Sequence, residues 1–327
     1  MAKETRFQTL TNRLSFASPS VILPKYGIID AILLNVKLTI SNTGAESTTP
    51  VITDVLKALT EISVKSDSQT THYLLNGLDI AIMNAYEGQF GTNPILAKTL
   101  EAISPSSSGV VEFPLILNKG DIFAANHQDV TISTVIQQTA FAENLTITAA
   151  DISVGIVEIV KLNSDDVAAR YGKDLQLLNE PKVTTRTRKC PANSELTPFL
   201  ELPTGSVIQE AYFTFDTAPS NFGIIDVAGE HSQRMNVEWG MHRALDAYRH
   251  NVAGNPPENT IRVDFGNEVE ANGLGLMGWS YMLGDIMVAA KNAAEVTCRA
   301  ITVESMVNHA AFEQFASSYQ FESRAGI

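Results

Sequence analysis

The chain has 327 residues, of which 44% are hydrophobic and 18% are charged. Intrinsically disordered proteins have the opposite balance, so a folded chain of about two domains is expected. The 36 acidic and 23 basic residues give a net charge of −13, which argues against a surface built for nucleic-acid phosphates, because clustered Lys and Arg bind these. The sequence has neither the apolar segment of a signal peptide nor an apolar run of membrane-spanning length, so neither export by that route nor membrane insertion is expected.

Most of the chain is predicted to form β-strands. In residues 28–40, apolar side chains at positions 34, 36, 38 and 40 alternate with polar ones, which is the period of a strand with one buried face. Residues 144–160 and 296–303 are similarly rich in branched apolar residues. Turn signals such as Asn42-Thr43-Gly44 separate these segments. Many short strands with such separators predict sandwiches or barrels.

Three segments are predicted to be helical. Residues 73–87 and 235–250 carry apolar side chains at helical spacing, so each helix should pack through one apolar face. Residues 164–178 begin with Ser164 as an N-cap, followed by two aspartates in the first turn. We interpret this mid-chain segment as a connector between two domains. The predicted division is an N-terminal domain over 1–162, a helical connector over 163–183 and a C-terminal domain over 184–327.

The two halves of the chain resemble each other. Residues 85–94 match residues 247–256 at an offset of 162, and each stretch follows a predicted helix. Residues 22–40 and 199–216 both contain Leu-Pro shortly before a predicted strand. We interpret these matches as an internal duplication. The matched positions taken as structural are Leu23, Pro24, Ala85, Tyr86, Asn93, Pro94, Leu202, Pro203, Ala247, Tyr248, Asn255 and Pro256.

Each half is long enough for one closed or two-layered β unit of eight strands, which hides its edges by wrapping. Three features add to this: the Leu-Pro openings with a nearby glycine (Gly27, and more loosely Gly205), the turn Asn76-Gly77-Leu78-Asp79 into a helix, and Asn-Pro after each helix. On these features the whole chain resembles the double jelly-roll major capsid proteins of tailless icosahedral viruses, especially those with an internal membrane. The resemblance implies an all-β fold of two tandem eight-stranded jelly-roll sandwiches, with short helices inserted between strands. We expect a bacteriophage first and an archaeal virus second.

The resemblance also implies a structural role. In that family three chains form a pseudo-hexagonal tile, and many tiles pave an icosahedral shell. The expected partners are other copies of this chain in a homotrimer and lattice, penton or minor capsid proteins, and an underlying viral membrane where one exists, without direct contact to nucleic acid. The protein would be made in the host cytoplasm and located in the virion. Candidate surface loops are residues 87–109 and 250–260.

Two common catalytic motifs are absent from the sequence. The six histidines include no His-x-His, and no G-x-S-x-G nucleophile turn occurs. We therefore expect no enzyme activity and no catalytic, cofactor-binding or metal-binding residues. Acidic loops could hold Ca²⁺ between subunits, although no calcium motif supports a named site. Cys190 and Cys298 form no Cys-x-x-Cys pair and are predicted to be free and buried.

The role of the only local basic run stays open. Arg186, Arg188 and Lys189 either protect a strand edge or contact lipid phosphates or an acidic neighbouring subunit.

Two alternatives to the capsid role also stay open for the whole chain. The first alternative is a surface β-sandwich protein that binds carbohydrate or a host receptor. A cupin-type enzyme is the second, and the missing catalytic spacing disfavours it.

Overall fold

A computed structural model describes residues 4–25, 27–88, 95–139, 141–161, 180–203, 207–226, 233–250, 257–265 and 286–306. These residues fall into two compact units. Unit 1 lies within Met1–Asn163 and unit 2 within Ser164–Ile327, apart from His250, which groups with unit 1. The predicted connector helix 164–178 lies outside the described residues, as do Gly205, Asn93, Pro94, Asn255 and Pro256.

The described part of unit 1 contains eight strands and two α-helices. The strands are β1 (Glu4–Thr9), β2 (Ser20–Ile22), β3 (Ile28–Asn42), β4 (Leu59–Ser66), β5 (Thr70–Leu75), β6 (Ser108–Leu117), β7 (Val130–Ile136) and β8 (Leu145–Lys161). The helices are α1 (Ile52–Ala58) and α2 (Gly77–Tyr86), and short 3₁₀ turns cover Ile95–Ala97 and Ala124–Asn126.

The described part of unit 2 also contains eight strands, with one α-helix. The strands are β9 (Glu180–Cys190), β10 (Asn193–Glu201), β11 (Val207–Phe215), β12 (Asn221–Asp226), β13 (Gln233–Glu238), β14 (Thr260–Asp264), β15 (Ile286–Asn292) and β16 (Val296–Met306). Helix α3 (Trp239–His250) follows β13. Residues 180–183, which the sequence analysis assigns to the connector, lie in β9, because they pair with the end of β16.

The two units have the same strand order. In unit 1 the hydrogen-bonded orders are β1-β8-β3-β6 and β2-β7-β4-β5. In unit 2 they are β9-β16-β11-β14 and β10-β15-β12-β13, which are the orders of unit 1 with eight added to each number. All these pairings are antiparallel. Two four-stranded sheets in which the first strand lies beside the eighth form a jelly roll.

The core of each unit lies between its two sheets. The predicted alternation in β3 is confirmed, since Leu34, Val36, Leu38 and Ile40 are buried. The predicted strands over 144–160 and 296–303 are confirmed as β8 and β16. In unit 2 aromatic rings fill the core, with the centroids of Phe215 and Trp239 5.5 Å apart. Cys190 and Cys298 are free and buried, as predicted.

Two predicted helices are shorter than expected. Residues 73–75 belong to β5, where Tyr73 pairs with Val64 of β4, so α2 begins only at Gly77. Asn76 starts this helix because its side chain accepts a hydrogen bond from Asp79 N at 2.8 Å. In the same way, residues 235–238 belong to β13, and α3 begins at Trp239. None of the described helices is long and apolar enough to cross a membrane.

Candidate functional site

A buried glutamate lies near the end of the eighth strand of unit 1. Glu158 on β8 is fully buried and lies between its strand partners Arg6 on β1 and Ile29 on β3. Arg6 Nη2 donates to Glu158 Oε2 at 2.6 Å. A buried carboxylate is costly unless it is paired and hydrogen-bonded. The first and last strands of this jelly roll are therefore joined by an ion pair as well as by backbone hydrogen bonds.

Unit 2 repeats this arrangement with a different cation. Glu304 on β16 is fully buried between Lys182 on β9 and Ile208 on β11. Lys182 Nζ donates to Glu304 Oε2 at 3.2 Å, and Thr302 Oγ1 donates to Glu304 Oε1 at 3.1 Å. Neither glutamate was predicted as a site residue from the sequence. The available signal was an acidic residue inside an apolar strand, as in the run Ile156 to Val160.

The outer edge of β6 is closed by side chains. Asn84 of α2 donates to Ile116 O at 2.8 Å and accepts from Ile116 N at 3.0 Å, so its carboxamide replaces a neighbouring strand. Pro114, two residues away, has no N–H to offer. Lys98 Nζ donates to Glu112 O. Unpaired edge strands promote unwanted sheet extension, and these three side chains limit it here.

Helix α3 exposes apolar side chains and buries polar ones. Met241, Ala244 and Tyr248 share one face of the helix, and this face is exposed; Met241 is 64% and Tyr248 86% exposed. The opposite face carries His242 and Asp246, which are buried. The apolar stripe predicted from the sequence also includes Leu245, which is half-buried, so within unit 2 the stripe packs only at Leu245. The polar residues take the inner face because Arg262 N donates to Asp246 Oδ2 at 3.2 Å, and the His242 ring packs on Phe222 at 5.7 Å.

The matched Tyr86 and Tyr248 have opposite environments. Helices α2 and α3 begin 162 residues apart, so Tyr86 and Tyr248 occupy the same helical position. Tyr86 is 1% exposed, whereas Tyr248 is the most exposed large hydrophobic residue described. Ala85 is buried and Ala247 is exposed. The identical residues therefore occupy equivalent positions in the two units but have different surroundings.

The leucines of the two Leu-Pro pairs have like environments. Leu23 and Leu202 each follow the second strand of their unit and are 2% exposed. Pro24 and Pro203 come directly after these leucines, and the third strands begin further on, at Ile28 and Val207. Gly27 lies where any Cβ would come within 2.4 Å of Ile159 O, so only glycine fits beside β8.

The basic run lies on β9. Arg186, Arg188 and Lys189 are all exposed. Lys189 Nζ donates to Glu295 Oε1 at 2.7 Å, and this bond raises the pKa of Lys189. Part of the run is therefore used in a surface ion pair within unit 2, which is the kind of contact that contributes little to stability.

Several solved structures match this architecture. The STIV MCP matches with a TM-score of 0.79 and 16% identity, over 96% of this chain and 99% of that chain. The chain has the double jelly-roll fold. The major capsid protein P2 of bacteriophage PM2 matches this double jelly roll with a TM-score of 0.53, 12% identity and coverage of 92% and 97%. PBCV-1 VP54 matches with a TM-score of 0.57, 8% identity and coverage of 93% and 94%.

Comparisons based on sequence find no match for this chain. No model of a known protein family matches the chain, and no curated protein sequence matches it. The double jelly roll is thus recognised through its strand order and geometry rather than through sequence identity.

Proposed function

We propose that this double jelly roll is the major capsid protein of an icosahedral virus and that it acts by self-assembly, without catalysis. The observation that carries the proposal is the end-to-end match with the STIV MCP, which covers nearly all of both chains. Another solved structure of the same virus, Sulfolobus Turreted Icosahedral Virus, matches with the same TM-score.

The proposed capsomer is a homotrimer. A closed ring of identical chains needs two different surfaces on each chain that complement one another. The two units suit this requirement, because they share a topology but differ in surface, as Tyr86 and Tyr248 show. We place part of the contact on the exposed apolar face of α3, which is formed by Met241, Ala244 and Tyr248.

The remaining partners follow from the same role. Copies of the trimer would form the shell, with penton or minor capsid proteins at special positions and the virion as the final location. The net charge of −13 disfavours direct contact with a genome. Residues Arg186 and Arg188 are exposed cations that suit an acidic neighbouring subunit or lipid phosphates.

The test is the native mass of the purified protein by light scattering, with negative-stain images of the same peak. A mass three times the 35.5 kDa of the chain, seen as pseudo-hexagonal plates, supports the proposal. A monomer that stays monomeric at high concentration and under added salt contradicts it. That outcome would favour the alternative of a surface β-sandwich protein, and glycan-binding screens would follow.

A further inference from the structure

The side chains that close the edge of β6 leave the first half of this strand open. The carboxamide of Asn84 bonds both N and O of Ile116, so the backbone groups of Ile116 point away from β3. The direction of these groups alternates along a strand, and β6 pairs with β3 without a register shift. The N–H and C=O groups of Ser108, Val110 and Glu112 therefore also point away from β3.

Val110 and Glu112 lack the backbone partner that Ile116 has. Lys98 Nζ donates to Glu112 O. Across the described residues, no other group bonds the outward backbone of Val110 or the N–H of Glu112. The side chain of Val110 is 59% exposed, so nothing in unit 1 covers this part of the edge. An open strand edge of this kind accepts a further extended segment.

The open half of β6 forms one wall of a groove of about 470 Å³. Residues 98–104 form the other wall, and a turn joins the two, with Ser107 N donating to Ser104 O at 3.2 Å. Ile103 holds the second wall in place, because its N donates to Thr48 O at 2.9 Å and its O accepts from Thr48 N at 3.1 Å. Ligand sites commonly have volumes of roughly 300–1,000 Å³. The groove is therefore formed in the single chain and is large enough for a short peptide.

The groove carries more negative than positive charge. Glu101 and Glu112 line it, and both are exposed. Lys98 is the one cation among the lining residues, and its ammonium group already donates to Glu112 O. Opposite charges on neighbouring strands attract each other. A segment with a basic residue opposite Glu112 would complement the groove.

We propose that the groove between β6 and residues 98–104 binds an extended, basic segment of a different protein, which adds to β6 as an antiparallel strand. Main-chain hydrogen bonds to Val110 and Glu112 would supply affinity, and the carboxylates would supply selectivity. A segment of about five residues covers the length from Ser108 to Glu112. The source is a different protein because each described strand of this chain already lies in a sheet. The inference does not depend on the proposed capsid function, because it concerns a groove of unit 1 alone.

The test is the fluorescence anisotropy of a labelled peptide, Thr-Lys-Thr-Val-Thr, titrated with the purified full chain. Its lysine and valine are two positions apart, so they share one face of the added strand and lie opposite Glu112 and Val110. The peptide should bind the wild-type chain. Amide hydrogen exchange of the segment that contains Val110 and Glu112 should slow in the complex, because their N–H groups gain acceptors.

Substitutions on the wall of the groove separate backbone pairing from other contacts. Val110→Pro removes an outward N–H without removing a bond to β3, as Pro114 already does on the same strand, and should weaken binding roughly tenfold or more. Val110→Thr keeps the N–H and is the matched control, which should bind like wild type. Glu101→Gln should weaken binding roughly two- to fivefold. Glu195→Gln changes an exposed carboxylate on β10 and should have no effect.

Circular dichroism checks that the variants fold. If Val110→Pro fails to fold, a probe peptide N-methylated at its lysine and valine replaces it, because this probe lacks the same hydrogen bonds from the peptide side. The proposal is overturned if the wild-type chain does not bind the probe, or if the chain binds the N-methylated probe as tightly as the original. It is equally overturned if a folded Val110→Pro chain binds like wild type. Self-association of the chain that Val110→Pro abolishes would contradict the assigned partner, because the groove would then hold a second copy.

Discussion

Leu23 and Leu202 occupy equivalent positions in the two jelly rolls and make the same backbone hydrogen bond. Leu23 N donates to Val130 O at 2.7 Å, and Leu202 N donates to Ile286 O at 2.8 Å. Val130 begins β7 and Ile286 begins β15, which are equivalent strands. In each unit the leucine thus attaches the link between the second and third strands to the start of the seventh.

Truncation of either leucine should destabilise its unit. Leu23→Ala and Leu202→Ala each remove a side chain that is 2% exposed, which costs about 2–5 kcal/mol through lost burial and a cavity. The measurement is urea denaturation followed by intrinsic fluorescence and circular dichroism. The neighbouring Ile22→Ala is the control, because Ile22 is 68% exposed and its truncation should change stability by about 0.5 kcal/mol or less. Equal effects of Leu23→Ala and Ile22→Ala would contradict this prediction.

The buried glutamates lead to a second prediction. Arg6→Met leaves Glu158 as a buried carboxylate without its cation, and breaking a buried pair in this way costs about 3–5 kcal/mol. The loss should lie at the lower end, because the Arg6 side chain is 43% exposed and water can reach the site. The double variant Arg6→Met/Glu158→Leu should recover much of the loss, since it removes both charges.

The control for the ion pair is Arg13→Met. Arg13 pairs with Asp151 at 2.6 Å, but both side chains are well exposed, at 57% and 46%. Such pairs contribute about 0–1 kcal/mol. The measurement is the denaturation midpoint of each variant. If Arg6→Met/Glu158→Leu is less stable than Arg6→Met, an unpaired buried charge does not explain the loss of stability.

The third prediction concerns the edge of β6. Asn84→Ala leaves the N–H and C=O of Ile116 without the carboxamide, at a cost of about 1–3 kcal/mol for each buried group. It also opens a strand edge, so the variant should aggregate sooner on heating. Light scattering during a thermal ramp measures this. Asn35→Ala is the matched control, because Asn35 is exposed on β3 and bonds only the side chain of Glu112. An Asn84→Ala chain as stable and soluble as the control would refute the assigned role.

The sequence predicts the strands better than the sites. The alternation through Val36 and Leu38 identifies β3 because a two-sheet sandwich exposes one face of each strand. The Leu-Pro matches predict equivalent places because Leu23 and Leu202 are held by like local contacts. Glu158 and Glu304 were missed because the sequence does not show which cation lies opposite each of them, which depends on strand register. Tyr86 and Tyr248 show that sequence identity does not predict burial, since a tyrosine at the same helical position is buried in one unit and exposed in the other.

The exposed face of α3 gives the last prediction. Tyr248→Ser removes the most exposed large apolar side chain of the described residues and should leave the fold of the single chain unchanged, because that side chain makes little contact within it. Aromatic residues that become buried at an interface are frequent hot spots, and their loss costs about 2 kcal/mol or more. The variant should therefore dissociate at a concentration at least tenfold higher than wild type, as measured by analytical ultracentrifugation. Glu201→Ser, an exposed polar position in the same unit, should assemble normally. If Tyr248→Ser forms the same oligomer at every concentration while the wild type is trimeric, the trimer contact lies on another face, and the basic positions Arg186 and Arg188 become the next substitutions to measure.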